Sequence, residues 1–252
     1  MAFSCAIILF LCERMNEKDK VGAFVSKKNN QSSSIKFAVI LTIIAALLIG
    51  IFVVIGNNNS QEAQTVDSKP SIKGQPVMGN KKAKVQVVEF GDYKCPSCKS
   101  FETDIFPKLK ADYIDNGDVS FSFINFPLPV HGDGAVLAAL ASEEVWKEDP
   151  KNFWAFHEAV YNAQPDSEAE WVTPAKLTEL AKKTTKIDTD KLKDHLSKKT
   201  YQPQLNTDDQ LVNQYKVNAT PTIFINNKQV QNFYDYDEIK ELIDQELKGK
   251  KS

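Results

Sequence analysis

The sequence predicts an α/β domain with an inserted helical segment, preceded by one transmembrane helix. Three observations support this prediction. A β-rich run at residues 85–90 leads directly into a helical periodicity, residues 134–200 have a helical pattern throughout, and residues 37–56 pass without a charge. The 31 basic and 33 acidic side chains nearly balance, which argues against a nucleic-acid partner.

Residues 35–56 are the expected membrane anchor. The uncharged stretch at 37–56 is 20 residues long, enough at about 1.5 Å per residue to cross a hydrocarbon core of about 30 Å. Lysines precede it, whereas residues 57–64 carry no basic side chain, so the following domain is expected outside the cell membrane. A cleavable signal peptide is the alternative, although its apolar core normally has only about 7–15 residues.

Residues 57–75 predict a flexible linker. They are rich in Asn, Gln and Ser, a composition that cannot bury enough apolar surface to fold. The globular domain is therefore expected at residues 76–250. It opens with the run Val85–Phe90, whose alternation predicts a central strand that carries Glu89.

The motif Cys95-Pro96-Ser97-Cys98 marks the turn from this strand into a helix that should run to about Asp115. Cys95 is expected at the N-cap and Pro96 at the first helical position, where a missing N–H is tolerated. Free backbone N–H groups and the helix dipole stabilise a thiolate there, so Cys95 is the predicted nucleophile. Cys98 lies one turn further on the buried face and is the predicted resolving thiol.

A zinc site and a structural disulfide are weaker interpretations of the cysteine pair. Zinc needs two more ligands at close spacing, but Cys5 and Cys12 precede the anchor and the three histidines are scattered singly. A structural disulfide across about four residues would restrict the unfolded chain by only about 2 kcal/mol. A redox-active pair accounts for the motif best.

The rest of the chain predicts further strands and helices. Pro107 should kink the helix that follows the cysteines, because it removes a backbone hydrogen bond. Aromatic side chains of the insertion, about residues 134–200, are expected to form its core. The predicted helices lie at 135–146, 153–161, 174–183, 190–198, 204–216 and 236–247, and the predicted strands at 119–124, 222–226 and 228–230.

These features together resemble a known family. The run Val87–Phe90 before the cysteines and the run Ala219–Ile225 far downstream resemble the DsbA-like branch of the thioredoxin superfamily, and within it the membrane-anchored BdbD type of Gram-positive bacteria. The resemblance covers residues 70–250 and implies a thioredoxin-like fold with an inserted helical domain. Ser97 departs from the enterobacterial DsbA pattern, which has histidine at this position.

The resemblance to the BdbD type in particular extends further towards the N-terminus but begins only near Lys27. Residues 1–12 are apolar but too few to span a bilayer. We therefore expect residues 1–34 to form a short cytoplasmic segment, part of which precedes a true translation start at Met15 or Val25.

The resemblance also implies roles for individual residues. An acid at the position of Glu89 is buried beneath the cysteines and relays a proton to or from Cys98. The proline that matches Pro221 is cis and lies against the cysteines, which leaves the neighbouring backbone free to pair with a substrate strand. The expected substrate-binding residues are Thr220, Pro96 and Ser97.

The predicted activity is thiol-disulfide oxidation on the extracytoplasmic side of the membrane. A thiolate of a reduced secreted or surface protein would attack Cys95, and Cys98, deprotonated with help from Glu89, would then release the oxidised substrate. The redox-active disulfide requires no further cofactor. The resemblance implies that a quinone-linked membrane partner of the DsbB type reoxidises the pair.

Other functions remain open on the sequence alone. The same fold supports a disulfide reductase or isomerase, and a tethered binding module or chaperone would show no turnover. A structural Ca²⁺ is compatible with the composition, but the acidic stretches 188–194 and 235–241 lack the spacing of a calcium loop, and no residue is predicted to bind a metal.

Overall fold

The computed structural model describes residues 40, 42–44, 63–167 and 170–249. The chain divides into two compact units, residues 1–60 and 61–252. In the first unit, residues 40 and 42–44 are helical, while segment 1–34 and the remainder of the predicted anchor 35–56 lie outside the described residues. Within these described ranges we find no helix with both the length and the apolar character of a membrane span.

Six described strands form one mixed sheet in the second unit, in the order β1-β6-β5-β3-β4-β2. Strand β3 pairs in parallel with β4 and antiparallel with β5, which confirms the predicted central strand. The strands are β1 (Gln64–Thr65), β2 (Val77–Gly79), β3 (Val85–Gly91), β4 (Val119–Asn125), β5 (Thr222–Ile225) and β6 (Lys228–Gln229).

Helices cover both faces of this sheet. They are α1 (Pro96–Ser100), α2 (Phe106–Leu109), α3 (Gly132–Glu148), α4 (Phe153–Ala163), α5 (Pro174–Thr184), α6 (Thr189–Lys198), α7 (Gln202–Gln214) and α8 (Tyr236–Lys248). Val85 and Val87 of β3 share one core with Ile239 of α8, whereas Val88 shares another with Leu211 of α7. All of β3 is therefore buried, because alternate side chains enter two different cores.

The helix that follows the cysteines is interrupted by two π-helical turns, Phe101–Ile105 and Lys110–Ile114, on either side of α2. The N–H of Phe106 donates to the carbonyl of Phe101, five residues back. Pro107 lies at the start of α2. A proline lacks the N–H for the regular ladder and its ring crowds the carbonyl four residues earlier, so a widened turn before it relieves both problems.

Helices α3 to α6 form the predicted insertion, with ends within three residues of those expected. Its core contains buried Phe153 and Phe156, and Trp146, Trp154 and Trp171 pack against it, which confirms the predicted role of these aromatic residues. Cys95 and Cys98 belong to the same apolar cluster. The insertion therefore packs directly against the cysteine pair.

The described part of the predicted linker 57–75 corrects that prediction. Strand β1 pairs with β6, and the N–H of Val66 donates to the carbonyl of Asn227 at 2.9 Å. Pro70 is buried, and its carbonyl accepts a hydrogen bond of 2.7 Å from Gln86. Because these are mainly backbone interactions, a polar composition does not reveal them. The folded unit thus includes residues from about 63 onward rather than from 76.

Candidate active site

The cysteine pair lies where β3 turns into α1. Cys95 is the N-cap, with φ −77° and ψ 120°, and Pro96 is the first residue of the helix. The N–H of Cys95 donates to the carbonyl of Asp92 at 3.0 Å, which closes the turn. Cys95 is 6% exposed and Cys98 is completely buried, so the predicted cap and the predicted burial are both confirmed.

The environment of Cys95 stabilises its thiolate. Both thiols are free in the described part of the chain. The pKa of Cys95 is lowered to about 6, first by a hydrogen bond from the Cys98 thiol, and partial burial opposes this effect. The backbone N–H groups of Ser97 and Cys98 contribute further, as expected at a helix N-terminus.

Cys98 has the opposite environment. Burial raises its pKa well above the usual value, and its hydrogen bond to Cys95 and the charge of Glu89 act in the same direction. The N–H of Asp92 donates to Sγ of Cys98 at 3.5 Å. One sulfur is therefore suited to carry negative charge and the other to carry a proton.

Glu89 is completely buried on β3, as predicted. Neither of its carboxyl oxygens has a hydrogen-bond partner among the described residues. Burial raises its pKa well above the usual value, followed by the charges of Glu102 and Cys95. Gly91 provides space for this carboxyl, since a Cβ there would lie 2.8 Å from Oε1 of Glu89 and 2.4 Å from the ring of Phe123.

The loop before β5 completes the site. The Thr220–Pro221 peptide bond is cis, which confirms the expectation from the resemblance. The thiol of Cys95 donates to the carbonyl of Thr220 at 3.3 Å, so the loop touches the predicted nucleophile. Pro96 is exposed and Ser97 partly exposed at the same place. The structure thus brings all of the predicted site residues together around one helix N-terminus.

An open cleft of about 660 Å³ adjoins this helix terminus. Its lining combines the apolar side chains of Pro96, Val130 and Trp171 with the polar side chains of Lys99 and His131. Val130 is 83% exposed. The cleft is large enough for one or two side chains of a bound peptide.

Sequence reasoning missed Asp92, which supports the turn from beneath. Its buried carboxylate accepts hydrogen bonds from the N–H of Lys94 at 2.7 Å and the N–H of Leu128 at 2.8 Å, and it lies 2.7 Å from Nδ1 of His131. An aspartate two residues before Lys94 is a sequence signal for the first of these contacts, because Asp often caps a nearby turn. The other two contacts join distant parts of the chain.

A second buried polar group lies away from the cysteines. Asn125 donates to Glu143 at 2.7 Å and to Asp208 at 3.1 Å, and Gln75 donates to Asp208 at 2.6 Å. Burial and the neighbouring Asp208 raise the pKa of Glu143 to about 8, so the two carboxyls share a proton at neutral pH.

The described residues contain no group of three or more His, Cys, Asp and Glu side chains arranged to hold a metal ion. The amide nitrogens of Asn125 and Gln75, rather than their oxygens, face the carboxyls of Glu143 and Asp208. The acidic stretches 188–194 and 235–241 do not form such a group. Asp188 and Asp235 instead cap the helices that follow them.

The fold and the cysteine pair define a class of protein, the thiol-disulfide oxidoreductases with a thioredoxin fold. A family model described as "Thioredoxin" matches residues 71–245. Disulfide bond formation protein D of Bacillus subtilis (strain 168) is 58% identical over 194 residues, which are 77% of this chain and 86% of that protein.

Solved structures show the same fold. The crystal structure of oxidised BdbD from Bacillus subtilis matches with a TM-score of 0.71 at 58% identity, covering 75% of this chain and all of that chain. Chlamydia trachomatis DsbA, at 22% identity, shares the fold with a TM-score of 0.61 over 70% of this chain and 93% of its own. The chain belongs to the thioredoxin family and, within it, to the disulfide bond formation protein D group. It is a thiol-disulfide oxidoreductase, a class of enzyme that uses a redox-active disulfide.

Proposed function

We propose that this protein is a membrane-anchored oxidase that donates the Cys95–Cys98 disulfide to reduced secreted or surface proteins outside the cell membrane. The observation that carries the proposal is the position of Cys95 at the helix N-cap, where the Cys98 thiol and backbone N–H groups lower its pKa. Each pKa unit by which this thiol is lowered favours the reduced enzyme by about 1.4 kcal/mol, or about 30 mV for two electrons. An enzyme whose reduced form is stabilised passes its disulfide on readily.

The first step forms a mixed disulfide. The substrate thiolate attacks Sγ of Cys95, the Cys95–Cys98 bond breaks, and Cys98 leaves. Because Cys98 is buried and its pKa is raised, it leaves as a thiol that has taken a proton from Glu89. The charge that the substrate brought in thus ends on the Glu89 carboxylate, and one sulfur of the substrate is oxidised.

The second step releases the substrate. A second thiolate of the same substrate attacks the substrate sulfur of the mixed disulfide. Cys95 then leaves as the stabilised thiolate. This order replaces the expectation that Cys98 releases the oxidised substrate. An attack by Cys98 on Cys95 at that stage would return the substrate as a free thiol and re-form the enzyme disulfide.

Cys98 resolves a different intermediate, the one formed during reoxidation. The Cys95 thiolate attacks a disulfide of the oxidising partner, Cys98 gives its proton to Glu89, and its sulfur closes the enzyme disulfide while the partner leaves reduced. We propose a quinone-linked membrane protein of the DsbB type as this partner. The BdbD relationship supports it, and both proteins would then lie in the same membrane.

Substrate binding is assigned to the surface around Cys95. The backbone of Thr220, whose carbonyl lies 3.3 Å from the Cys95 thiol, would pair with an extended substrate segment. Pro96 and Ser97 form the exposed helix start beside it. A substrate side chain next to the reacting cysteine would enter the cleft that contains Val130 and Trp171.

The reduction potential is the decisive measurement for the activity. The enzyme is equilibrated with glutathione buffers, and the fraction oxidised is followed by alkylation. An oxidase is expected to lie above about −180 mV, whereas a value near −270 mV, typical of thioredoxin, would assign a reductase instead. In parallel, the oxidised enzyme should accelerate oxidation of a reduced test protein, and Cys95→Ser should not. If the wild type and Cys95→Ser gave equal rates of oxidation of the test protein, the protein would be a binding module rather than an enzyme.

The location requires its own test. The lysines at positions 27, 28 and 36 before the uncharged stretch 37–56 support an N-terminus inside the cell and a domain outside. Native protein should sediment with membranes and be digested by protease added to intact protoplasts. Protection from the protease, or recovery without membranes, would contradict the proposed location.

A further inference from the structure

Three basic side chains line the cleft beside the cysteine pair, and each has a carboxylate partner. The pairs are Lys94 with Glu170, Lys99 with Asp166, and His131 with Asp92. They differ in how far solvent reaches the carboxylate. The side chain of Asp92 is completely buried, that of Glu170 is 57% exposed, and that of Asp166 is fully exposed.

Lys94 is enclosed by its ion pair with Glu170. Its Nζ lies 2.7 Å from Oε2 of Glu170, and its side chain is only 13% exposed. Gly134 allows this close packing, because a Cβ there would lie 2.5 Å from Oε1 of Glu170 and 3.1 Å from Cδ of Lys94. His131 is likewise held, at 2.7 Å, by the buried carboxylate of Asp92. Both of these basic side chains are therefore committed to contacts within the protein.

Lys99 has a different setting. It lies one turn after the predicted nucleophile, and its backbone N–H donates to the carbonyl of Cys95 at 3.2 Å. Its Nζ donates to the carbonyl of Gln164 at 2.6 Å, which fixes the ammonium at the wall of the cleft without neutralising it. The carboxylate of Asp166 lies 3.2 Å from Nζ. Because a solvent-exposed ion pair contributes only about 0–1 kcal/mol, another carboxylate displaces Asp166 at little cost.

We propose that Lys99 is a specificity-determining residue that selects substrate segments with an acidic side chain beside the reacting cysteine. This selection rests on the proposed function, in which a substrate segment lies along Cys95 and one of its side chains enters the cleft. An ammonium has three N–H donors, and the carbonyl of Gln164 occupies one of them. A substrate carboxylate that replaces Asp166 therefore meets a cation that is already held in position, which lowers the entropic cost of binding.

The apolar part of the lining strengthens this selection. Pro96, Val130 and Trp171 share the cleft and displace water from a side chain that enters it. Charges interact more strongly where water is excluded, so a substrate carboxylate in the cleft gains more from Lys99 than the fully exposed Asp166 does. A basic substrate side chain would instead be repelled by the ammonium of Lys99.

The test compares three reduced peptides that differ only in the two residues flanking a single cysteine, which are Glu, Gln or Lys. The initial rate at which each forms a mixed disulfide with the oxidised full-length protein is measured by rapid acid quenching at low salt. Rates of the same peptides with a small-molecule disulfide correct for the reactivity of their own thiols. The corrected rate of the glutamate peptide should exceed that of the glutamine peptide by about two- to fivefold, and the lysine peptide should be slowest.

In Lys99→Gln the corrected ratio of the glutamate to the glutamine peptide should fall to about one. Lys110→Gln is the matched control and should keep the wild-type ratio, because Lys110 pairs with Asp115 outside the cleft. Asp166→Asn, which also serves if Lys99→Gln does not fold, removes the competing carboxylate and should raise the ratio above that of the wild type.

Equal corrected rates for the three peptides with the wild type would overturn the proposal, as would a ratio that Lys99→Gln leaves unchanged. A preference for the lysine peptide would also overturn it, because Asp166 would then determine the choice. These outcomes leave the oxidase assignment intact, since every peptide still reacts. If no peptide formed a mixed disulfide, the proposed oxidase activity would fail and the selection by Lys99 with it.

Discussion

The hydrogen bond between the two thiols is the largest influence that lowers the pKa of Cys95. A hydrogen bond to a charged group contributes about 1.5–3 kcal/mol, which corresponds to about one to two pH units. Cys98→Ala should therefore raise the Cys95 pKa from about 6 by that amount. Thiolate absorbance at 240 nm measures it. Cys98→Ser keeps a donor and should shift the pKa less; equal shifts would contradict this explanation.

The roles of the two sulfurs can be separated with a disulfide-bonded peptide as substrate. Cys98→Ser retains the nucleophile Cys95 at the helix N-terminus but has no thiol to close the enzyme disulfide. It should accumulate a covalent adduct at Cys95 that is visible on a non-reducing gel. Cys95→Ser should form almost none, because Cys98 is buried and holds its proton. Adducts in Cys95→Ser but not in Cys98→Ser would reverse the assignment.

Asp92 should matter for stability, because its carboxylate accepts backbone hydrogen bonds from both Lys94 and Leu128. In Asp92→Asn an amide NH₂ would face one of these N–H donors, and a buried donor without an acceptor costs about 1–3 kcal/mol. The urea midpoint should fall accordingly. Asp133→Asn at an exposed position nearby is the control. If both variants unfold at the same urea concentration, the turn does not depend on Asp92.

At the scale of secondary-structure elements, the end of β3 is tightly packed. Gly91→Ala would place a Cβ 2.4 Å from the ring of Phe123 and 2.8 Å from Glu89. Overpacking of this kind typically costs about 1–3 kcal/mol. We expect a lower free energy of unfolding in urea, with partial recovery in Gly91→Ala combined with Phe123→Leu. A midpoint equal to that of the wild type would contradict the tight packing described.

Elements that bury a periodic apolar face were predictable from the sequence. The helices from Gly132 to Lys198 show a helical period because their apolar side chains pack against a shared core, and the side chains of β3 alternate between two cores. The π-helical turns around Pro107 were not predicted, since a widened turn leaves the apolar spacing almost unchanged. Strands β1 and β2 were missed because two or three residues are too few to show alternation.

The residues of the active site also divide into those that local sequence predicts and those that it does not. Cys95, Cys98 and Pro96 follow from local rules for a helix N-terminus. Glu89 and Pro221 were found through the family resemblance. Glu89 lies on β3 just before the cysteines, whereas the pairing of β5 with β3 brings Pro221 to them from elsewhere in the chain. Asp92 acquires most of its role through contacts with distant residues in the folded molecule, which the sequence around it does not reveal.

For the whole molecule, the cysteine chemistry predicts how stability depends on pH. The pKa of Cys95 in the folded reduced enzyme, about 6, is below its usual 9.0. A lowered pKa contributes stability that is complete above the usual value and is lost as the pH falls to the folded one. The oxidised enzyme has no such thiol. The reduced form should therefore gain stability over the oxidised form between about pH 6 and 9, by up to about 1.4 kcal/mol per unit.

Urea unfolding of both redox forms at pH 5.5, 7 and 8.5 measures this difference. The raised pKa of Cys98 does not oppose it in this range, because that effect begins only above the usual value of 9.0. Cys95→Ala should lack the gain in stability that the reduced wild type shows over the oxidised form from pH 5.5 to 8.5. A difference between the redox forms that stays constant from pH 5.5 to 8.5 would contradict the thiolate as its source.

The pairing of β1 with β6 affects where an unfolded chain could add to the sheet of such an enzyme. Clients of a disulfide donor are unfolded chains, and an extended unfolded chain readily adds to an open sheet edge. Here the chain's own residues 64–65 already bond to residues 228–229 at that edge. A stray client strand would have to displace them. Under the proposed function, this short strand would limit co-aggregation of the enzyme with its substrates.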